Sequence, residues 1–372
     1  MAEVYKSSFG QYRRQRRGGR RGVAQWLLLL LDIFVGLLLV LFSALTAVSI
    51  LCQYIPPAEL GAWSIVSLAA PIIYIVDLAV FFYWIVRLRW WLVLVAAPAV
   101  VVGLYYMPLY YRIDLMRRYA THYDDRDFVR LATYNICGNR TEQLGDYLQR
   151  CNPDILCLQE VRPVANLAWE QVRKRYNVTS SCDTLLTNEI ASRYPLLRSG
   201  TIDSLNRRRV VWADVKVGMD TLRVINLHLN STTISDDDTN YIEHHEYMGG
   251  NSLHKASLKE IVRKLASNNV RRSVQADAVA RFVAESPYRV VVCGDLNDVP
   301  MSYTYRTILD AGLEDAFNVG GSGYSYTFNR YFNLLRIDHV FCSEGVAAVS
   351  YEVDNSAKYS DHYPVFVRVK LK

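Results

Sequence analysis

The sequence predicts an α/β sandwich, two sheets face to face with helices outside, preceded by three membrane-crossing helices. Three observations predict this. The runs Val23 to Leu51, Trp63 to Val86 and Trp90 to Tyr111 are apolar, and each is long enough to cross a bilayer, which takes about 20 helical residues. Beyond Tyr111, short runs of β-branched residues alternate with helical stretches and later pair antiparallel around tight turns. One after another, these strands end on polar side chains that an apolar core does not need.

The N-terminal 22 residues carry Lys6 and six arginines. The first apolar run is too long for a signal peptide and lacks its small-residue cleavage pattern, so it is expected to be retained. The loop Cys52 to Ala62 has no Lys or Arg, whereas Arg87 and Arg89 flank the second turn. The positive-inside rule then puts residues 1–22 in the cytoplasm as a basic N-terminus. Residues 23–111 form the membrane region, 112–127 a linker, and 128–372 a domain on the extracytoplasmic side of a plasma or bacterial inner membrane. Arg112, Arg117 and Arg118 argue weakly against that side. Asp32 and Asp77 lie within the apolar runs, where interhelical packing is the expectation. Residues 1–119 hold 12 of the 42 Lys+Arg and 5 of the 36 Asp+Glu, which leaves residues 120–372 balanced at 30 against 31. A protein that gripped long DNA by charge would be more basic there.

The elements follow in order. Phe128 to Ile136 reads as a strand carrying Asn135 at its end, followed by a helix to about Arg150 and a turn at Asn152-Pro153-Asp154. Ile155 to Val161 is a second buried strand that places a charge, Glu160, at its apolar end. A helix near Asn166 to Arg175 and short strands through Ile202 come next. Arg208 to Val217 and Leu222 to Leu229 form a hairpin around Gly218, with His228 at its end. Asn230 to Asn251 is polar and reads as a loop, and His254 to Ser286 as helix. Val290 begins a buried strand expected to stop at Gly294, where the chain turns, with Asp295 and Asn297 on one side by alternation. A short helix from Ser302, strands at Tyr326–Phe328 and Leu335–Phe341, and two closing strands at Val346–Val353 and Tyr363–Leu371 complete the chain. Cys157, Cys293 and Cys342 fall in apolar strands as small buried thiols, and no Cys-x-x-Cys spacing suggests zinc. Whether Cys151 and Cys182 pair is left open.

Together these ends hold the parts for phosphoester hydrolysis by water. Glu160, together with Asp361, can hold a hard divalent cation through oxygen, Mg²⁺ or alternatively Mn²⁺. Asp295 is placed to orient or deprotonate water, with Asn297 positioning it. His362, beside a carboxylate, holds its proton and can stabilise a pentacoordinate transition state. Asp338 is the candidate orienter of His362, and His228 could meet a second phosphate oxygen.

The pieces Ala132-Thr-Tyr-Asn135, Gln159-Glu160-Val161, Asn226-Leu-His228-Leu229, Gly294-Asp295-Leu-Asn297, Arg336-Ile-Asp338-His339 and Ser360-Asp361-His362-Tyr-Pro364 carry a resemblance. In this order they resemble the motifs of the endonuclease/exonuclease/phosphatase superfamily, the fold of deoxyribonuclease I, neutral sphingomyelinases and inositol-polyphosphate 5-phosphatases. The likeness covers residues 128–372. It implies a four-layer α/β sandwich, Mg²⁺ dependence, metal binding at Glu160, an Asp338–His362 pair, and Asn135 on metal or phosphate. The DNA-repair branch commonly carries an acid two residues after the first-strand Asn. Cys137 stands at that position, which argues against apurinic-site repair.

The expected substrate is a phosphoester, with phospholipid or a small phosphoester ahead of nucleic acid. The alternatives are an extracytoplasmic nuclease and a catalytically silent binding protein on the same fold. His339 reads as structural, and Asp236–Asp238 with His244 and His245 as a solvated loop rather than a second metal site. Arg207–Arg209 and Arg271–Arg272 read as exposed faces, and Gly320–Gly323 as a turn. The bilayer is the one other partner implied.

Overall fold

A computed structural model describes residues 22–113, 128–139, 141–162, 170, 172–181, 186–202, 205, 209–231 and 258–372. The basic N-terminus, linker residues 114–127, the first part of the helix expected near Asn166, Cys182, Arg207, Arg208, Asp236–Asp238, His244 and His245 lie outside the described residues.

The N-terminal apolar runs form three helices long and apolar enough to cross a membrane. They span Val23–Tyr54, Pro57–Val86 and Trp90–Leu109 and contain α1 (Val23–Tyr54), α2 (Ala70–Val86) and α3 (Trp90–Tyr106). The second run changes its winding, because Gly61–Ala69 forms a 3₁₀ helix before α2 begins. The Ser64 and Ser67 hydroxyls donate to the carbonyls of Gly61 and Ser64, three residues back, and so favour the tighter turn. Polar contacts join the helices. Asp32 pairs with Arg87 at 2.7 Å, and Thr46 Oγ1 donates to Asp77 at 2.5 Å.

The strands in chain order are β1 (Tyr111–Arg112), β2 (Val129–Asn135), β3 (Ile155–Val161), β4 (Asn177–Ser180), β5 (Thr187–Ser192), β6 (Leu196–Gly200) and β7 (Val210–Val217). They continue as β8 (Asp220–His228), β9 (Arg289–Asp295), β10 (Leu313–Asp315), β11 (Gly323–Tyr324), β12 (Asp338–Ser343), β13 (Val346–Val353) and β14 (Val365–Leu371). Two six-stranded sheets result, ordered β10-β12-β9-β8-β7-β6 and β13-β14-β2-β3-β5-β4. Each holds one parallel pair, β8 with β9 and β2 with β3, among antiparallel neighbours. The crossover between β2 and β3 contains α4 (Glu142–Cys151), and that between β8 and β9 contains α5 (Leu258–Ala284). Thr141 caps α4 by accepting from the Leu144 amide.

Alternation sorts the side chains into layers. Leu131, Ile155, Cys157 and Ile190 of one sheet meet Val211, Val224, Val291 and Cys293 of the other in an apolar interlayer. On the outer faces, Ala276, Val279 and Val283 of α5 cover one sheet, and Leu144 and Leu148 of α4 cover the other. This is the four-layer sandwich with mixed sheets.

Two details differ from the sequence reading. The chain does not turn at Gly294, because β9 continues to Asp295 with Gly294 paired to Leu227 and His339. Gly294 has φ +126°, and a Cβ there would lie 2.1 Å from the Leu227 oxygen, so the glycine serves close backbone approach. Tyr326–Phe328 is not a strand; Phe328 makes a single bridge to His362.

Candidate active site

Parallel strands present their C-terminal ends together, and here two such pairs do so face to face. β2 and β3 deliver Asn135 and Glu160, while β8 and β9 deliver His228 and Asp295. β12 runs antiparallel to β9, so its first residue, Asp338, pairs with Asp295. His362 follows from the turn before β14.

The Asn135 amide joins the two sheets: Nδ2 donates to Glu160 Oε1 at 3.2 Å and to Asp295 Oδ2 at 3.0 Å. Its oxygen accepts from the Cys137 amide at 3.0 Å, which fixes the direction of the NH₂. Glu160 sits in the left-handed region, φ +54°, where the β3–β5 register shifts between Leu158 and Val161. Alternation would put Glu160 on the outer face with Leu156 and Leu158; the bulge turns it to the mouth of the cleft, where it is half-buried. Asn297 also has positive φ, +53°, and meets Asp295 through a turn rather than by strand alternation. Its backbone N–H donates to Asp295 Oδ1 at 2.7 Å and its Nδ2 to Oδ2 at 3.0 Å.

The histidines differ by environment. His362 Nδ1 is 2.9 Å from Asp338 Oδ2, and its Nε2 is 3.7 Å from Asp295 Oδ2. Burial opposes its charge, but Asp338 and Asp295 outweigh burial and hold the ring's pKa at about 10, an imidazolium at neutral pH. His228 Nε2 lies 3.6 Å from Glu160 and 3.8 Å from Asp295. Burial drives its pKa down to about 4, Arg209 and His362 add to that, and Asp295 opposes it, so the ring is neutral. Burial also raises the Asp295 carboxyl, and the nearby Asp338 charge adds to it while His362 and His228 pull it back.

Asp361 stands to one side of this group. It accepts from Ser360 Oγ at 3.2 Å and lines a neighbouring cavity with Asn329, Arg330 and Asn333. No hydrogen bond or ion pair among the described residues joins it to Glu160. Cys137 lies between them, its thiol acted on by both charges.

Sequence reasoning missed three features. Asn226, wholly buried, donates to the Leu158 and Glu189 carbonyls at 2.9 and 2.8 Å and accepts from Gln159 at 2.6 Å. It sets the sheet separation behind the site, and the sign available in sequence was an amide inside an apolar strand. Arg272, read as exposed, is 1% exposed and pairs with Asp298 at 3.3 Å. Helical periodicity could have placed it inward. Arg209, also read as exposed, is half-buried beside the site, where it acts on Asp295 and Glu160. His339 is buried, 3.0 Å from both Arg336 Nη1 and the Asp298 carbonyl.

A divalent cation suits this donor set. Glu160 and Asp295 meet through Asn135, and Asp338 Oδ1 is buried with no hydrogen-bond partner among the described residues. Asp295, Asp338 and His362 offer ligand atoms within 4.8 Å of one another. Asp338 is bonded to His362, and Glu160 is the half-buried carboxylate beside them, with the Asn135 NH₂ donating to it.

A search of curated proteins finds no match. Among solved structures, the chain is similar to a 3′ phosphatase, NExo, from Neisseria bound to a product DNA hairpin. That match has 20% identity and a TM-score of 0.48, covering 66% of this chain and 99% of that one. It is similar to an endonuclease/exonuclease/phosphatase from Bacteroides vulgatus, with 18% identity, a TM-score of 0.48, and 66% and 99% coverage. It is also similar to a humanized D. rerio TDP2 carrying 14 mutations, with 17% identity, a TM-score of 0.46, and 66% and 99% coverage. The sequence profile of the Endonuclease/Exonuclease/phosphatase family matches residues 132–362, from the strand that ends on Asn135 to His362 itself. The chain belongs to that family and is a hydrolase of phosphoester bonds.

Proposed function

We propose that this protein is a membrane-anchored, divalent-metal-dependent phosphoester hydrolase, with α1 to α3 as the anchor and residues 128–372 as the catalytic domain. The observation that carries the reading is the Asn135 amide held between Glu160 of one sheet and Asp295 of the other. Two carboxylates from different sheets converge on one point, which folding alone does not require.

Glu160 would hold a cation such as Mg²⁺, which would supply charge neutralisation at the phosphate when bound, and the Asn135 NH₂ positions that carboxylate by donating to it. Asp295 takes the proton of the attacking water, and its raised pKa makes it a better base than an exposed carboxylate. Asn297 holds Asp295 in place and offers its amide to the water. His362, kept protonated by Asp338, places positive charge where the phosphoryl oxygens gain negative charge. Neutral His228 offers a hydrogen bond to another phosphoryl oxygen. Asp361 contributes at the rim, where its charge acts on His362.

The aromatic side chains support the membrane reading. Trp26, Trp90 and Trp91 are exposed at one end of the helices, and Tyr54, Trp63 and Tyr105 at the other, as at the two faces of a bilayer. The experiment is hydrolysis of a panel of plasmid DNA, RNA, phospholipids, inositol phosphates and a chromogenic phosphodiester, with Mg²⁺ or chelator. Chelator abolishes turnover, and His362→Ala lowers it about 10²-fold or more. Metal-independent turnover, or an equally active variant, contradicts the mechanism. Reporter fusions after Tyr111 test the extracytoplasmic placement, which a cytoplasmic signal would reverse.

A further inference from the structure

The sandwich meets the helix bundle with the end that carries the site. Met301, four residues after Asn297, packs with Ala70, Ile73, Tyr74 and Tyr110. Arg336, two residues before Asp338, donates Nη2 to the Leu109 carbonyl at 2.9 Å. The Ser325 amide donates to the Tyr110 carbonyl at 3.2 Å. Asn269 Nδ2 donates to Ser64 Oγ at 3.0 Å, and Asn269 also accepts from Arg272, the partner of Asp298. The hairpin tip at Met219, at the other end of β8 from His228, is 92% exposed. The cleft therefore opens beside the helix ends marked by Tyr54, Trp63 and Tyr105, not away from them.

One rim of the cleft is tied to the point where the chain leaves α3. β1 pairs with β11, setting Tyr111 opposite Tyr324. Tyr324 Oη donates to the Leu334 carbonyl at 2.7 Å, which ties down the turn before Asp338. That turn begins at Phe328, whose ring packs on the His362 ring at 4.8 Å. Its tip is Phe332, 71% exposed and held at φ +59°. An aromatic side chain displayed in a backbone conformation that costs energy needs a reason outside the fold. Arg330 beside it lines the cavity that contains Asp361.

We propose that the substrate is the phosphoester headgroup of a lipid in the leaflet facing the domain, with Phe332 entering that leaflet's surface and Arg330 meeting lipid phosphate. This rests on the hydrolase reading above and narrows its substrate. A long nucleic acid would call for a basic domain, whereas residues 120–372 carry 30 basic against 31 acidic side chains. A small soluble phosphoester would leave Phe332 without a partner. In the reaction, water oxygen bonds to phosphorus, the ester P–O bond breaks, the water proton passes to Asp295, and the leaving oxygen takes a proton from solvent.

The test uses the full chain in vesicles of phosphatidylcholine, phosphatidylethanolamine and phosphatidylglycerol with Mg²⁺. Headgroup release is measured beside hydrolysis of soluble bis(p-nitrophenyl) phosphate. Phe332→Ser lowers kcat/KM on vesicles about tenfold, the scale of losing one buried aromatic, and leaves the soluble substrate within about twofold. Phe332→Trp restores vesicle turnover. Equal vesicle activity of Phe332→Ser and parent overturns the proposal. So does a parent that cleaves the soluble diester or DNA but no vesicle lipid. A parent inactive on every substrate overturns the hydrolase reading itself.

Discussion

Asp338→Asn tests the electrostatics of the site most directly. Asp338 Oδ2 lies 2.9 Å from His362 Nδ1, and the two carboxylates facing this buried ring lift its pKa from 6.5 to about 10. A lift of that size corresponds to roughly 5 kcal/mol in favour of the imidazolium. Asparagine keeps the shape and removes the charge, so the pKa falls toward 6.5 or lower, because only Asp295 and the smaller effect of Asp361 then work against burial. At pH 8 the parent ring is almost wholly protonated. In the variant about 3% is, against about 76% at pH 6, so turnover at pH 8 falls about 25-fold relative to its own value at pH 6. The assay is a pH–rate profile on a chromogenic phosphodiester at saturating Mg²⁺, read as the ratio of rates at the two pH values. That ratio cancels any uniform loss from misplacement. A basic limb that stays near pH 10 in the variant would refute the reasoning. The same shift contributes stability that is fully present below pH 6.5 and is lost as pH rises through about 10.

Other outcomes follow from the same geometry. Asp295 has a raised pKa, so its unfolded form ionises first, and its contribution falls as pH rises above 3.8. Asp295→Asn therefore raises the thermal midpoint of the metal-free protein at pH 8 while lowering turnover about 10³-fold; a lowered midpoint speaks against this. Gly294→Ala forces a methyl 2.1 Å from the Leu227 oxygen and destabilises the domain by about 4 kcal/mol or more, visible as a collapsed thermal transition. Asn226→Ala strands the Leu158 and Glu189 carbonyls and Gln159, and costs about 3 kcal/mol or more by denaturant titration. An unchanged midpoint in either variant contradicts the packing described.

Much of the site was legible because an ionisable or amide group at the end of an apolar strand is locally anomalous. Asn135, Glu160, His228, Asp295, Asp338 and His362 all announce themselves this way. Their sequence neighbours were less legible. Asp361 looks equivalent to Glu160 in sequence, yet Ser360 and the chain's path turn it toward the adjoining cavity. Arg272 reads as a solvated helix charge until Asp298 and the Asn230 carbonyl are seen to enclose it. Asp295 and Asn297 were expected together, but alternation was the wrong reason: a left-handed residue brings Asn297 back over the strand end.

The sequence by itself determined the apolar helices, the layer each strand residue faces and the chemistry available at the strand ends. Hydrophobicity and alternation are properties of neighbours along the chain. Only the tertiary structure decided that two parallel pairs oppose their ends, that a bulge turns Glu160 toward Asn135, and that the end carrying the candidate site sits against the helix bundle. Those depend on pairings between residues far apart, such as Asn135 with Asp295 and Ser64 with Asn269, whose energies no local pattern encodes.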